Sequence, residues 1–319
     1  MKRYLTIALL AALPCLAQVD IKQQADRMDI SINGAPFSTF FYGPDAPKPY
    51  LHPLRTASGK IVTRAYPMAD VEGESRDHPH HRGLWFTHGD VNGFDFWANE
   101  ERQKGPKKGK IVLEKAGPVQ NGKKKGTLEA SFNWLDPQGN TVLKEARKMT
   151  FYADRDRRVM DIYITLTAAT DIKFGDTKEG TFAIRLATPL EEPSPKSKGI
   201  ARTGKMVNAE GLETEKNVWG KRSAWVDYEG ELEGEKLGIA ILDHPSNPRY
   251  PTYWHSRGYG LFAANIFGVQ DFTRDKSKDG SLNLEKGKSL RFLYRVVIHP
   301  GDAKTAQIAK EFKAFSKIK

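Results

Sequence analysis

Four of the eight histidines in the 319-residue chain fall within eleven positions, inside DHPHHRGLWFTHGDVNGFDFW at 77–97. They are His78, His80, His81 and His88. Imidazole titrates nearer to neutral pH than other unperturbed side chains, and its neutral form is the commonest metal ligand. The cluster therefore admits three readings. It can do acid–base chemistry, ligate a transition metal, or form a loop whose imidazoles bond backbone groups and pack on aromatic rings. Arg82 adds a fixed charge beside it and favours an anion or a polyhydroxylated ligand over a dication. A transition metal, if present, would be held by His78, His80, His81 and His88. No HExxH motif or carboxylate triad completes a ligand set nearby, and no cofactor is favoured.

Three later segments set polar side chains among glycines, prolines and aromatics. FGDTKE (174–179) brings Asp176, Lys178 and Glu179, and Arg185 follows in an otherwise apolar run. A charge placed among Phe182, Ile184 and Leu186 needs a partner if it is buried. DHPSNPRYPT (243–252) holds His244 and Arg249, and YWHSRG (253–258) adds Trp254, His255 and Arg257. Sugar rings offer C–H faces to aromatic side chains and hydroxyl edges to forked donors and carboxylates. In this reading His80 or His81 is the acid or base, and Glu179 or Asp90 the opposed carboxylate. His78, Arg82, Trp85, His88, Asp176, Lys178, Arg185, His244, Arg249, Trp254, His255 and Arg257 hold the ligand. The same residues could instead form a polar seam of the core.

The elements that must position these groups are short and β-rich. Runs at 28–32, 60–66, 127–135, 141–152, 159–167, 181–187, 223–228, 237–242, 259–266, 282–284 and 289–298 are separated by turn residues. Asn33-Gly34 and the DPQGN at 136–140 are examples, and 159–167 (VMDIYITLT) alternates with period two. On a strand, His78 and His80 share one face and His81 takes the other. One helix is expected at the C-terminus, capped by Asp302, with Ile308, Phe312 and Phe315 on one face. Roughly fifteen or more strands with almost no helices between them predict an all-β fold, a large antiparallel β-sandwich. No linker divides 18–319; EEPSPKSK (191–198) reads as a surface loop.

Residues 1–17 read as a secretory signal peptide, with Lys2 and Arg3 ahead of an apolar run and Cys15-Leu16-Ala17 at the cleavage site. The run is about ten residues, against the roughly 20 that a membrane span needs. Cleavage after Ala17 would start the chain at Gln18, remove the one cysteine and place the protein in a periplasm or outside the cell. Removing Lys2 and Arg3 lowers the formal charge from +11 to +9. Lysine-rich stretches at 104–110 and 123–125 carry much of the excess and read as solvated hairpin loops. A nucleic-acid groove would interleave such residues with stacking aromatics, so no nucleic-acid partner is expected. Mean hydropathy of −0.57 excludes a polytopic membrane protein.

The histidine-rich stretch, FGDTKEG, DHPSNPRYPTYWHSR and GLFAAN (260–265) together resemble a bacterial family of exported proteins labelled methane oxygenase PmoA-like. The resemblance covers nearly all of the chain after residue 17, and its label implies a metal-dependent oxygenase. A looser, fold-level resemblance is to the galactose mutarotase-like supersandwich. It rests on PYLHPL (49–54) followed by a strand and a histidine-bearing loop. That fold implies a concave sheet face that binds a sugar between a histidine acid and a carboxylate base. The leading expectation is an exported carbohydrate-directed enzyme of epimerase, lyase or hydrolase type, with a small-molecule or oligosaccharide substrate. The alternatives are a glycan-binding protein without catalysis and the oxygenase.

Overall fold

The computed structural model describes residues 18–101, 103, 107–195 and 199–318. The expected signal peptide and Cys15 lie outside the described residues, as do 104–106 of the lysine-rich loop and 196–198 of the expected surface loop. The chain enters with β1 (Val19–Gln23), β2 (Arg27–Ile32), β3 (Ala35–Phe41), β4 (Tyr50–His52) and β5 (Leu84–His88). It crosses to β6 (Lys110–Gln120), β7 (Lys125–Leu135), β8 (Thr141–Tyr152) and β9 (Arg158–Ala168). After the short β10 (Ile172–Phe174) it returns as β11 (Gly180–Arg185). It then adds β12 (Lys205–Asn208), α1 (Thr214–Val218), β13 (Trp225–Leu232) and β14 (Glu235–Asp243). Next come β15 (Tyr253–Trp254), β16 (Leu261–Asn265), α2 (Val269–Thr273), β17 (Leu282–Leu284), β18 (Ser289–Pro300) and α3 (Ile308–Phe315).

These strands make two eight-stranded antiparallel sheets. The first runs β1-β2-β3-β4-β5-β11-β16-β15 and the second β12-β13-β14-β18-β9-β8-β7-β6, with β10 and β17 paired separately. Alternation builds the core between them. Leu84 and Phe86 on β5, Phe182 and Ile184 on β11, and Phe262 on β16 face Phe292, Tyr294 and Val296 of β18. Each large apolar side chain so buried is worth about 1.5–3 kcal/mol. The intervening positions Trp85, Ala183, Leu261 and Ala263 form a separate cluster with Tyr50 and Trp97 on the outer face of the first sheet. Every residue of β5, β11 and β16 is buried, so something must cover that outer face. Loops do.

The expected all-β sandwich with a C-terminal helix is the fold observed, and the strands expected at 127–135, 141–152, 159–167, 237–242 and 289–298 are present. Other details differ. Residues 60–66 make only isolated bridges, Ile61 to Arg55 and Thr63 to Leu186, because Arg64 turns its side chain into the ion pairs described below. The histidine segment is a turn rather than a strand, closed by His81 N donating to His78 O, so its side chains do not alternate. Two short helices, α1 and α2, join the terminal one. Asp302 caps the turn before α3, accepting from Thr305 N at 2.7 Å, and α3 itself begins at Ile308. Ile308 and Phe315 seat α3 on the outer face of the second sheet with Leu293 and Val297. At the edge of that sheet, β6 skips register twice, at Leu113/Lys115 and at Ala116/Val119.

Gly83 joins the histidine turn to β5 with φ +54, and a β-carbon there would press into the carbonyl oxygen of Leu51. Both the left-handed backbone and the close approach demand glycine. Gly83→Ala should cost about 2–4 kcal/mol in urea unfolding. A loss under about 0.5 kcal/mol, the usual scale for innocuous surface changes, would contradict this account of the turn.

Candidate functional site

The turn over the outer face is held by one carboxylate. Asp77 Oδ1 accepts from Arg64 Nη1 and from Arg185 Nη2, the latter at 3.0 Å, and Oδ2 lies 2.8 Å from His78 Nδ1. Both guanidiniums are 0% exposed, whereas the side chains of Asp77 and His78 are 37% and 41% exposed. Arg185 points outward from β11, which places its charge under the turn; its second anionic neighbour is Glu191 at 3.7 Å. Burial would raise the Asp77 pKa. The hydrogen bond with His78 and the charges of Arg185 and Arg64 outweigh it and hold the carboxyl well below its ordinary range. Arg64 Nη2 also donates to His78 O at 3.0 Å, fixing a residue whose φ is +43. A non-glycine residue in that region is uncommon and is retained where its surroundings over-determine it.

Beneath His78 the rings pile up. Tyr259, His78, His81 and Trp85 stack in that order, with centroids 5.4, 4.8 and 5.2 Å apart. Trp97 meets His81 at 5.8 Å and Trp85 at 5.2 Å, and His80 meets His81 edge-on at 4.4 Å. Arg185 and Arg257 both lie against the Tyr259 ring, at 4.7 and 5.4 Å from its centroid. His81 Nδ1 is 3.2 Å from Arg185 Nη1, which has only hydrogens to offer, so Nδ1 accepts and the ring proton sits on Nε2. Burial, His80 and Arg185 hold the His81 pKa well below its ordinary value. His80 accepts from Gln103 Nε2 at 2.8 Å; burial and the charge of Lys48 bring its pKa to about 2. Both imidazoles are therefore neutral.

The sequence-predicted residues divide between this site and other places. His78, His80, His81, Trp85 and Arg185 are in mutual contact. Arg257 joins through Tyr259 and is itself paired with Glu215 at 2.6 Å. His255 packs on Trp219 and Phe272, and burial followed by Arg257 lowers its pKa to about 3. Glu179, 3.5 Å from Lys178, is near enough for its charge to act on Tyr259, whose hydroxyl burial pushes up to about 12. Arg82 grips Glu100 with two bonds of 2.8 and 2.7 Å.

The rest are engaged elsewhere. Asp90 accepts from Gly93 N in its own turn, and Asp176 accepts from Gln270 N and Gly280 N. Arg249 spends its donors on the carbonyls of Ile266, Gly280 and Ser281. His88 shares the core-facing side of β5 with Leu84 and Phe86, bonds Gly175 O and packs on Phe267. Trp254 is in the core with Nε1 on Ser223 O, and His244 lies against Phe315 of α3 over the second sheet. His88 is thus separated from the other three histidines. Among the described residues no group of three or more His, Cys, Asp or Glu side chains is placed to hold a metal ion.

Sequence reasoning missed Arg64, Tyr259, Trp97 and Lys48. Arg64 carries the signature that singled out Arg185, a lone arginine in a β-branched run, so that signal was available. Lys48 is fully buried, donating to Trp97 O at 2.7 Å and Asn99 Oδ1 at 2.8 Å; burial brings its pKa to about 7. Nothing in its local sequence marks it.

The comparisons place this architecture. Residues 27–313 match a family described as a family of unknown function, DUF6807. The chain belongs to that family. This corrects the PmoA-like resemblance and the oxygenase it implied: the matched family is described as of unknown function, the fold is a two-sheet sandwich, and among the described residues no helix is long and apolar enough to cross a membrane. No curated protein matches the sequence. Among solved structures, a galactose mutarotase-like protein from Clostridium acetobutylicum is 11% identical, with TM-score 0.41, over 88% of this chain and 98% of that one. An α-galactosidase from Lactobacillus brevis is 9% identical, TM-score 0.41, over 90% of this chain and 40% of that one. The α-galactosidase AgaB from Geobacillus stearothermophilus is 10% identical, TM-score 0.41, over 89% and 41%. This chain thus spans about two fifths of the galactosidases it is similar to.

The buried imidazoles set the response of this DUF6807 protein to acid. His80, His81 and His255 are neutral when folded but take protons below about pH 6.5 when unfolded. The unfolded state then binds more protons, so stability present above pH 6.5 is lost as pH falls toward the folded values. Each such group contributes a slope of about 1.4 kcal/mol per pH unit. Asp243, pushed up to about 7 by burial, has the opposite sign and offsets one of them. Urea unfolding at pH 6.5 and 5.5 should show a clear net loss at the lower pH. His80→Gln should shrink that loss by about 1 kcal/mol. A stability that is flat or rising toward pH 5.5 would contradict the neutral, buried assignment.

Proposed function

We propose that the protein is a carbohydrate-directed enzyme whose proton transfers pass through His78. The Asp77–His78 pair carries this reading. Asp77 on Nδ1 fixes the tautomer that leaves the Nε2 lone pair outward, and would stabilise the imidazolium formed when Nε2 takes a proton, as the acid of a catalytic triad does. No described residue hydrogen-bonds Nε2, and His78 is the exposed member of an otherwise buried histidine group. His80 and His81 then act as supports: His81 backs the His78 ring and His80 backs His81. Beside them the half-exposed Arg257 lies over the Tyr259 ring and pairs with Glu215, while Glu179, paired with Lys178, acts on Tyr259 through its charge, so charged donors and acceptors flank an aromatic face. That mixture suits hydroxyl edges and a C–H face. Glu179 then serves as the opposed carboxylate, its charge acting on Tyr259, on which His78 stacks.

The test is turnover on a panel of mono- and oligosaccharides, read by product NMR. His78→Gln should lower turnover by about 10²–10⁴, the usual range for a general acid or base, while ligand affinity stays within about threefold. Asp77→Asn should lower turnover and also cost roughly 3 kcal/mol of stability, because it leaves two buried guanidiniums short of an anion. A His78→Gln protein that changes only the dissociation constant would make this a glycan-binding protein.

A further inference from the structure

The ring pile beneath His78 contains hydrogen-bond donors that have nothing to bond. His81 Nε2, Trp85 Nε1, Trp97 Nε1 and Arg185 Nε are all buried and meet no acceptor among the described residues. Their side chains form one contiguous group: Arg185 bonds His81, and the His81, Trp85 and Trp97 rings lie 5.2–5.8 Å apart. Indole and guanidinium nitrogens only donate, and with Nδ1 occupied the outstanding nitrogen of His81 only donates too. An unpaired buried donor costs about 1–3 kcal/mol, and here four lie on touching side chains. What such a set lacks is an acceptor that brings no hydrogen of its own.

Cationic groups lie close by, although Asp77 and Glu191 already answer part of their charge. Arg185 and Arg64 lie under the turn, and their charges together with that of Lys48 push the neighbouring imidazoles toward their neutral forms. The outer face is also floored by small side chains, Ala183 on β11 and Ala263 on β16, with Ala183 directly opposite Trp85. A cavity of about 610 Å³, lined by Pro79, Arg82 and Gln103 with charges of both signs (Asp45, Glu101 and Lys110), reaches the far side of the turn. Gln103 bonds His80, and the His80 ring is 6.2 Å from Trp97, so one layer of side chains separates that cavity from the donors. We infer that His81, Trp85, Trp97 and Arg185 form a subsite for a carboxylate, and that the ligand handled at His78 is an acidic sugar. The sugar part rests on the function proposed above; the anion part does not.

The experiment is a titration of the whole protein, followed by intrinsic tryptophan fluorescence and calorimetry, with sodium galacturonate, galactose and sodium sulfate as probes. Galacturonate should bind and perturb the fluorescence, galactose should not, and sulfate should compete at higher concentration. Trp97→Phe keeps the ring and removes one donor, so galacturonate affinity should fall about tenfold. The smaller ring leaves a gap in a buried site, so the melting temperature should fall, offset in part by loss of the unsatisfied donor; Trp85→Phe is the second variant if the first does not fold. Equal binding of galactose, or unchanged affinity in both variants, would overturn the subsite. Sulfate binding without galacturonate binding would overturn the sugar acid. His78→Gln should bind galacturonate like the wild type, so a failure of the proton-transfer reading leaves this binding result standing on its own.

Discussion

One carboxylate decides how the outer face of the first sheet is organised. Asp77 answers two guanidiniums that have no access to water, and only a partly exposed anion can do so while still presenting an edge to His78. Removing charge from water is costly unless it is paired and hydrogen-bonded. The turn therefore has little freedom: Arg64 fixes its carbonyl, Arg185 fixes its carboxylate, and Gly83 lets the chain drop into β5 against Leu51. The left-handed backbone of His78 is tolerated because so many bonds converge on it. Strain and electrostatics support each other here, and the exposed imidazole is their joint product.

The sandwich supplies this turn with a rigid base. Strands β5, β11 and β16 are covered on both faces, so their outward residues are as fixed as their inward ones. Trp85 and Arg185 take their places from strand register rather than from loop packing, and the turn's own histidines settle onto them. The second sheet solves the same problem differently. Over β14, β18 and β9 its outer face is covered by α3, with Arg295 bound to Asp161 at 2.6 Å and to Glu311 of the helix at 2.6 Å. One outer face is covered in part by a helix held through an ion-pair network. The other is roofed by loops with donors outstanding.

The sequence made much of this legible. Alternation and turn residues gave the all-β sandwich, and Ile308 with Phe315 gave the terminal helix. The need of Arg185 for a partner was readable too, but not which partner, since Asp77 is 108 positions away. Spacing misled where the chain is irregular. His78 and His80 were assigned to one face by strand logic, and the turn instead stacks His78 on His81. Asp90, Asp176 and Arg249 carry the residue types of a site but spend them on backbone groups, which residue type alone does not reveal. Which imidazole is exposed depends on Trp85, Trp97 and Gln103 closing around His80 and His81, a property of packing and not of spacing.

The edge strand β6 has a bearing on the molecule's company. An open sheet edge presents unpaired N–H and C=O groups to any passing strand, and long flat edges invite chains to add on. Here the edge breaks step twice and carries Gly117-Pro118, where the amide hydrogen is missing, together with Lys110 and Lys115. A neighbouring chain would find no unbroken ladder to join and would meet positive charge while searching for one. The second sheet thus terminates at β6 instead of propagating from molecule to molecule, and crowding alone gives it no template for fibrous growth along that side.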